Sequence, residues 1–466
     1  MPNTVIKIDS TAFFGCSGLT GLTLSNNLTY IGRQAFSGCS GLTNSSLSIP
    51  SSVTTIYDGS SFGGCNFASI TVNSNNTIYN SNNNCNAIIE TATNKLIVGC
   101  KNTVFPNNIT EINNYAFYNC TGLTTLTIPA SVTRIQSYAF SGTGLTTLTI
   151  PSTCTYVMTN AFTGCTNLRT VTLCHDNISS GGSSASASLS NTYGNYVTTY
   201  NINASVTSIG GSKFYNCTAL TTVNLSNNIT TIGNSAFYNC TSLSTIDLSH
   251  ITTIGNSAFK GCTGLTSVNL LSTTTINNNG FEGCTGLTSV NISNITTLNA
   301  YAFKGCTGLT SVILPSVGSA SIFETITGYQ FQNCTNLTSI GPVGSGASIE
   351  IPSKLSYMKN AFQGCTGLIS IVIPNNITSM DGSFINCTGL KNITIGTGIK
   401  STSSTLFYNI FRGSSNIESI TVDSNNTIWK SLNNAIIKKS NNELCFGCKT
   451  TIIDSTVTLI GTYSFY

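Results

Sequence analysis

Cys445 and Cys448 form the one pair in this sequence at the spacing of a redox or zinc motif. The motif reading weakens on internal comparison. Cys448 aligns with Cys100 in an earlier copy of the surrounding segment, and Cys445 aligns with Ile97, so one is a segment residue and the other replaces a core aliphatic. Histidine chemistry is equally short of material. His175 and His250 stand alone in different parts of the chain, too little for a triad or a multi-histidine metal site. The 14 Asp and Glu show no close pairing suited to acid–base work, and no glycine-rich loop follows a phosphate-cradling pattern. The residues therefore indicate no catalytic, cofactor or metal site, and the expectation is a protein that is not an enzyme.

What remains is hydrogen bonding by neutral side chains. Thr266, Ser267 and Asn269 recur as Thr288, Ser289 and Asn291, then as Thr310 and Ser311. If these positions face outward, they form ladders of hydroxyls and amides. Such a ladder suits a glycan or a partner's backbone, and it equally suits the solvated face of any strand.

These ladders depend on a repeat. Ala258-Phe259-Lys260-Gly261-Cys262-Thr263-Gly264-Leu265 returns with Phe281, Cys284 and Leu287, and again with Phe303, Cys306 and Leu309, a period of 22 residues. A period in the low twenties predicts a solenoid. Leu265, Val268 and Leu270 alternate as a short strand with one face inward. A turn and a second extended piece follow, as at Ile251 and Ile254, and the Ala-Phe-x-Gly-Cys corner leads to the next strand. Phe fills the coil centre, and neighbouring coils supply the missing walls. The fold expected is a leucine-rich repeat solenoid, right-handed and β-rich, with a parallel strand stack, short turns or helical corners, and about eighteen coils.

Cysteine occupies one register from Cys16 to Cys387, with Thr143 and Ser414 in the same slot of two degenerate copies. Stacked side chains that tolerate Thr or Ser read as buried free thiols, not as a disulfide framework. The period fails over residues 176–200, a Ser/Gly-rich run followed by Tyr193, Tyr196 and Tyr200. This reads as a projecting loop with three tyrosines as candidate contacts, or as a tolerated insertion without function. Smaller interruptions lie at residues 316–328 and 341–350.

Composition narrows the partners. Charged residues are 7% of the chain and the formal net charge is +4, with Lys and Arg scattered, so no electrostatic footprint for nucleic acid or an anionic membrane is present. No apolar run approaches the ~18 residues of a transmembrane helix. The segment Met1-Pro2-Asn3-Thr4-Val5 is no ordinary secretory signal, so export would be encoded elsewhere or be unconventional. Sequons such as Asn119-Cys120-Thr121, Asn239-Cys240-Thr241 and Asn386-Cys387-Thr388 follow from the Asn- and Thr-rich composition, and their overlap with the corner predicts poor accessibility.

The repeat resembles the BspA-like leucine-rich repeats, a family of surface proteins. The match is sharpened by a longer module over residues 70–117, with Asn84-Cys85-Asn86-Ala87-Ile88-Ile89 and Val98-Gly99-Cys100-Lys101, and by a second copy over residues 420–466, with Asn434-Ala435-Ile436-Ile437 and Phe446-Gly447-Cys448-Lys449. Repeats 1–69, 118–175 and 201–419 fill the remainder around the 176–200 run. The resemblance implies recognition or adhesion at the cell surface or outside the cell, toward a protein or glycan of a host or neighbouring cell, without nucleic acid or membrane insertion. Both ends lie inside a repeat without a polar cap, which gives the alternative: a spacer or self-assembling segment that associates end to end.

Overall fold

Short parallel strands are the regular element, and the spacing of their apolar residues explains them. In the pairs Ser208–Ile209, Thr231–Ile232, Thr253–Ile254, Thr275–Ile276 and Thr297–Leu298, each strand lies in register beside the next. The aliphatic residue turns inward, as with the fully buried Ile232, Ile254 and Ile276, and the hydroxyl residue turns outward, as the alternation of a strand requires. The structure, a computed structural model, describes residues 1–174, 188–203, 206–314, 325–341, 349–351 and 355–465. Residues 1–180, 184–206 and 222–226 form one unit, and residues 181–183, 207–221 and 227–466 a second. Each is a leucine-rich repeat β-solenoid.

A second row of parallel strands runs along each unit. In the first it includes Ser46–Ile49 beside Ser69–Val72, and Thr147–Ile150, Thr170–Leu173, Thr199–Ile202 and Thr222–Asn224. In the second it includes Ser289–Asn291, Ser311–Ile313 and Ser339–Gly341. Threonine locks successive coils together. Thr252 donates to Thr230 O through both its backbone N (2.8 Å) and its Oγ1 (3.1 Å), and Thr274 and Thr296 repeat the contact one and two coils on.

The corner between the rows bends through two left-handed residues, Ser257 at φ 53° and Gly261 at φ 77° in one coil. Asn239 takes the Gly261 position one coil earlier at φ 55°, as the short polar side chain of Asn tolerates that region. Gly264 has a different cause. A Cβ there would lie 2.6 Å from Thr241 O of the preceding coil, so the Thr-Gly-Leu step is set by how closely coils approach.

Phenylalanine forms the spine. In the second unit Phe237, Phe259, Phe281 and Phe303 stack with centroids 5.1–5.3 Å apart and planes within 4°, inside the range where offset aromatic pairs attract. Phe117, Phe140 and Phe162 do the same in the first unit at 4.9 and 5.0 Å.

The cysteine slot proves to be a donor position. Cys284 Sγ donates to Phe259 O of the preceding coil at 3.1 Å. Cys39, Cys65, Cys165, Cys240, Cys262, Cys306, Cys334, Cys365 and Cys387 each reach the equivalent carbonyl at 3.0–3.2 Å. Ser414, which replaces Cys, donates its hydroxyl to Phe384 O at 2.8 Å. The slot thus takes a small side chain carrying one hydrogen-bond donor, which is why Ser414 is accepted, while the hydroxyl of Thr143 lies 3.2 Å from Cys165 Sγ of the next coil. All cysteines are free thiols.

The long modules depart from the parallel pattern. Tyr79–Asn80, Ala87–Glu90 and Lys95–Gly99 form an antiparallel meander with a bulge at Ile88/Ile89, and the last strand then pairs in parallel with Glu111–Ile112. Trp429–Leu432, Ala435–Lys438 and Glu443–Gly447 repeat it, ending on Leu459–Ile460.

The 176–200 insertion needs correction. Residues 175–187 lie outside the described residues, but residues 188–200 are part of the solenoid. A short helix, Ser190–Tyr193, replaces the usual corner, and Tyr193 takes the phenylalanine position, stacking on Phe162 at 5.4 Å. The strand Thr199–Ile202 carries Tyr200 inward between its neighbours. Tyr193 and Tyr200 are therefore 1% exposed core residues, and only Tyr196, at 47%, faces solvent. The interruptions at 316–328 and 341–350 fall largely outside the described residues.

Candidate functional site

The outward ladder predicted on the second unit lies on its surface. Thr266, Ser267, Asn269, Thr288, Ser289 and Thr310 are exposed, and Asn291 and Ser311 are half-buried. Ser289 pairs in register with Ser311, and Asn291 with Ile313. Much of the ladder's hydrogen bonding is internal. Thr310 donates to Thr288 O through N (2.8 Å) and Oγ1 (3.0 Å), and Thr266 Oγ1 reaches Ser244 O at 3.4 Å. Asn269 Oδ1 and Asn291 Oδ1 accept from Leu271 N and Ser293 N at 3.2 and 3.0 Å. A ligand would meet a face where the hydroxyl protons of Thr266 and Thr310 are already engaged, with hydroxyl lone pairs and asparagine amide hydrogens on offer.

A second surface appears on the first unit, on the other strand row. Lys7 pairs in register with Tyr30, and Lys95, Glu111, Arg134 and Tyr156 follow one another across four strands. Lys95 Nζ lies 3.7 Å from Glu111 Oε2, and Gln136 Nε2 donates to Glu111 Oε1 at 2.8 Å. The Arg134 guanidinium rests 4.3 Å from the centre of the 43% exposed Tyr156 ring. The corresponding positions of five strands of the second unit carry Ser208, Thr231, Thr253, Thr275 and Thr297, while Tyr357, ahead of the buried Met358, stands in register with Thr325 further along. The signal for this stripe was present in the sequence: each residue immediately precedes the inward aliphatic of its coil, as Arg134 precedes Ile135 and Tyr156 precedes Val157.

Groups that could carry chemistry are dispersed. Cys445 is buried, its thiol pushed up to about 12 by burial, and Cys448 contacts Asn434 O at 3.3 Å. Among the described residues no group of three or more His, Cys, Asp or Glu could hold a metal. His250 is exposed, while His175 lies outside the described residues. The sequons depart from expectation: Asn119 and Asn386 are exposed and Asn239 is half-buried, because the left-handed backbone at this corner position, φ 53° to 58°, turns outward. Among the described residues no helix is long and apolar enough to cross a membrane.

The BspA-type leucine-rich repeat region matches the chain in six copies, over residues 1–89, 89–193, 190–310, 271–345, 296–441 and 344–466. The chain belongs to this family. Among solved structures, a leucine-rich repeat protein of Bacteroides ovatus is similar at 20% identity over 89% of this chain and 86% of that one, with a TM-score of 0.45. One of Eubacterium ventriosum is similar at 21% identity over 75% of this chain and 83% of that one, TM-score 0.33. A leucine-rich cell surface protein of Faecalibacterium prausnitzii is similar at 20% identity over 75% and 94%, TM-score 0.29. No protein of curated function matches the chain.

Proposed function

We propose that this BspA-type chain is a non-enzymatic recognition or adhesion scaffold at the cell surface or outside the cell, binding a protein or glycan of a host or neighbouring cell. The observation that carries the reading is the division of labour in each coil. Inward positions are fixed by the stack, while the outward rows hold exposed polar, aromatic and cationic groups in register. Tyr and Arg are residue types enriched where proteins bind one another, which favours the Lys95–Glu111–Arg134–Tyr156 stripe of the first unit beside the Thr266, Thr288 and Thr310 ladder of the second.

The test is binding of the purified chain to arrays of extracellular-matrix proteins and glycans. Lysine at Thr266, Thr288 and Thr310 in one variant, and alanine at Arg134 and Tyr156 in another, separate the two faces. Loss of binding at least tenfold in one variant assigns the site. Full binding by both variants, each retaining native circular dichroism, excludes the two strand faces.

A further inference from the structure

The corner face of the second unit carries a notch. Ser235, Ser257, Asn279, Tyr301, Tyr329 and Asn360 hold the same left-handed corner step in successive coils, at φ 53° to 65°. In the next coil that step falls on Gly382, at φ 67°. A Cβ at Gly382 would collide with Asn360 Oδ1, so the amide of the preceding coil keeps the position bare. One coil further on, the helix Leu406–Phe411 replaces the usual corner and brings Asn409 and Arg412 alongside. The result is a cavity of about 290 Å³ whose wall also includes Lys359, Asp381 and Ile385.

The charges of this cavity are not spent on one another. Elsewhere on the same face Lys260 and Lys304 lie 2.8 and 3.7 Å from Glu282, so cation and carboxylate are matched within the protein. Lys359, Asp381 and Arg412 are exposed, and among the described residues none of them has an ion-pair partner. The side-chain amides of Asn360 and Asn409 likewise hold no hydrogen bond among the described residues. Two cations against one carboxylate leave the cavity net positive, which calls for one anionic group, and Arg offers a carboxylate two parallel N–H donors. Ionised, Asp381 accepts hydrogen bonds and gives none, so the ligand must also bring donors. A phosphate brings mainly acceptor oxygens and would be repelled there. Hydroxyls beside a carboxylate meet both demands, Asn360 and Asn409 offer them donors and acceptors, and half-buried Ile385 supplies an apolar wall.

We propose that the notch at Gly382 binds one carboxylated sugar ring of a glycan, a uronic acid or a sialic-type acid. Arg412 and Lys359 hold the carboxylate, while Asp381, Asn360 and Asn409 take the hydroxyls. Ligand cavities run from about 300 to 1,000 Å³, so this one admits a single ring and leaves the rest of the glycan outside. The proposal rests on the recognition reading and adds to it a ligand class and a third face.

The experiment is saturation-transfer difference NMR of the 466-residue chain titrated with glucuronate, N-acetylneuraminate and glucose, with acetate and inorganic phosphate as competitors. A saturable signal is expected from at least one sugar acid, weakening with added salt, and the tighter of the two identifies the source. Glucose, which lacks the carboxylate, should bind about tenfold or more weakly, and acetate, which lacks the hydroxyls, should compete as poorly. Lys359→Ala with Arg412→Ala should lower affinity about tenfold or more with native circular dichroism, while Lys391→Ala, at an exposed lysine outside the cavity, should change it by less than about twofold. Three results overturn the proposal: no saturable binding of either sugar acid, competition by acetate or phosphate as strong as the sugar acid's own binding, or full binding by the Lys359 and Arg412 variant. Array binding by the wild-type chain without saturable binding of a sugar acid overturns this inference and leaves the recognition reading standing. No array binding at all removes the recognition reading itself.

Discussion

Replacing Cys284 by serine and by alanine separates two accounts of the corner slot by the sign of a difference. Cys284 is fully buried, and its thiol donates to Phe259 O at 3.1 Å. That carbonyl also accepts from Cys262 N, so the thiol is its second partner. If the slot were only an apolar pocket, a serine hydroxyl buried there without a partner would cost about 1–3 kcal/mol relative to alanine. If the slot is a donor position, serine keeps the hydrogen bond and alanine forfeits it, which favours serine by about 0.5–1.5 kcal/mol. Both variants lose the bulk of sulfur, so that loss cancels in the comparison. The donor account therefore predicts that Cys284→Ser is more stable than Cys284→Ala. Urea denaturation followed by the emission of Trp429, the single tryptophan and part of the same unit, measures the difference as a shift in midpoint at constant slope. An alanine variant more stable than the serine variant by 1 kcal/mol or more would refute the donor reading. Ser414 provides the reverse case: its hydroxyl donates to Phe384 O and accepts from Cys387 N at 3.0 Å, so Ser414→Ala should destabilise by about 1–3 kcal/mol.

Three further outcomes follow from the geometry. Phe281→Ala removes a fully buried ring stacked on both sides at 5.1 and 5.3 Å and should cost about 3–5 kcal/mol, measured in the same denaturation assay. Thiol labelling of the native chain at pH 8 should modify exposed Cys16 first and half-buried Cys174 and Cys448 slowly. Burial raises the thiols of Cys284, Cys306, Cys334 and Cys365 well above their ordinary value, so mass spectrometry should find them unmodified until urea is added. Glu282 carries a carboxyl that burial alone would raise, but Lys260 Nζ at 2.8 Å, Asn279 and Lys304 Nζ at 3.7 Å hold it below its ordinary value. A carboxyl depressed by folding stabilises above its unfolded pKa and loses that contribution as pH falls through the folded one. Glu282→Gln should then cost about 1 kcal/mol or less near neutral pH, and the gap to wild type should close toward pH 3, as read from denaturation midpoints.

Legibility in the sequence followed the direction of each side chain. Phe259, Cys262 and Leu265 point inward against copies of themselves, so one requirement is written many times and the 22-residue period exposes it. Tyr193 meets the same requirement through a helical corner and a different ring. Because it broke the pattern beside a Ser/Gly run, it resembled a loop contact. The antiparallel meanders were equally hidden, since apolar runs such as Ala87–Glu90 and Lys95–Gly99 carry no mark of strand direction.

Outward positions obey a weaker rule, solubility, which Thr, Ser and Asn satisfy without further information. The Thr266, Thr288 and Thr310 ladder is therefore what the scaffold supplies by default, and its hydroxyl at Thr310 is already turned back onto the preceding coil. Arg134 and Tyr156 are not defaults. They are larger than the position needs, one packs over the other at 4.3 Å, and the five strands of the second unit from Ser208 to Leu298 carry only Ser or Thr there. In a repeat whose interior is dictated by stacking, such a departure from the small hydroxyl is where a ligand requirement can be recorded. The first unit's charged and aromatic stripe therefore ranks above the more regular face that the periodicity singled out.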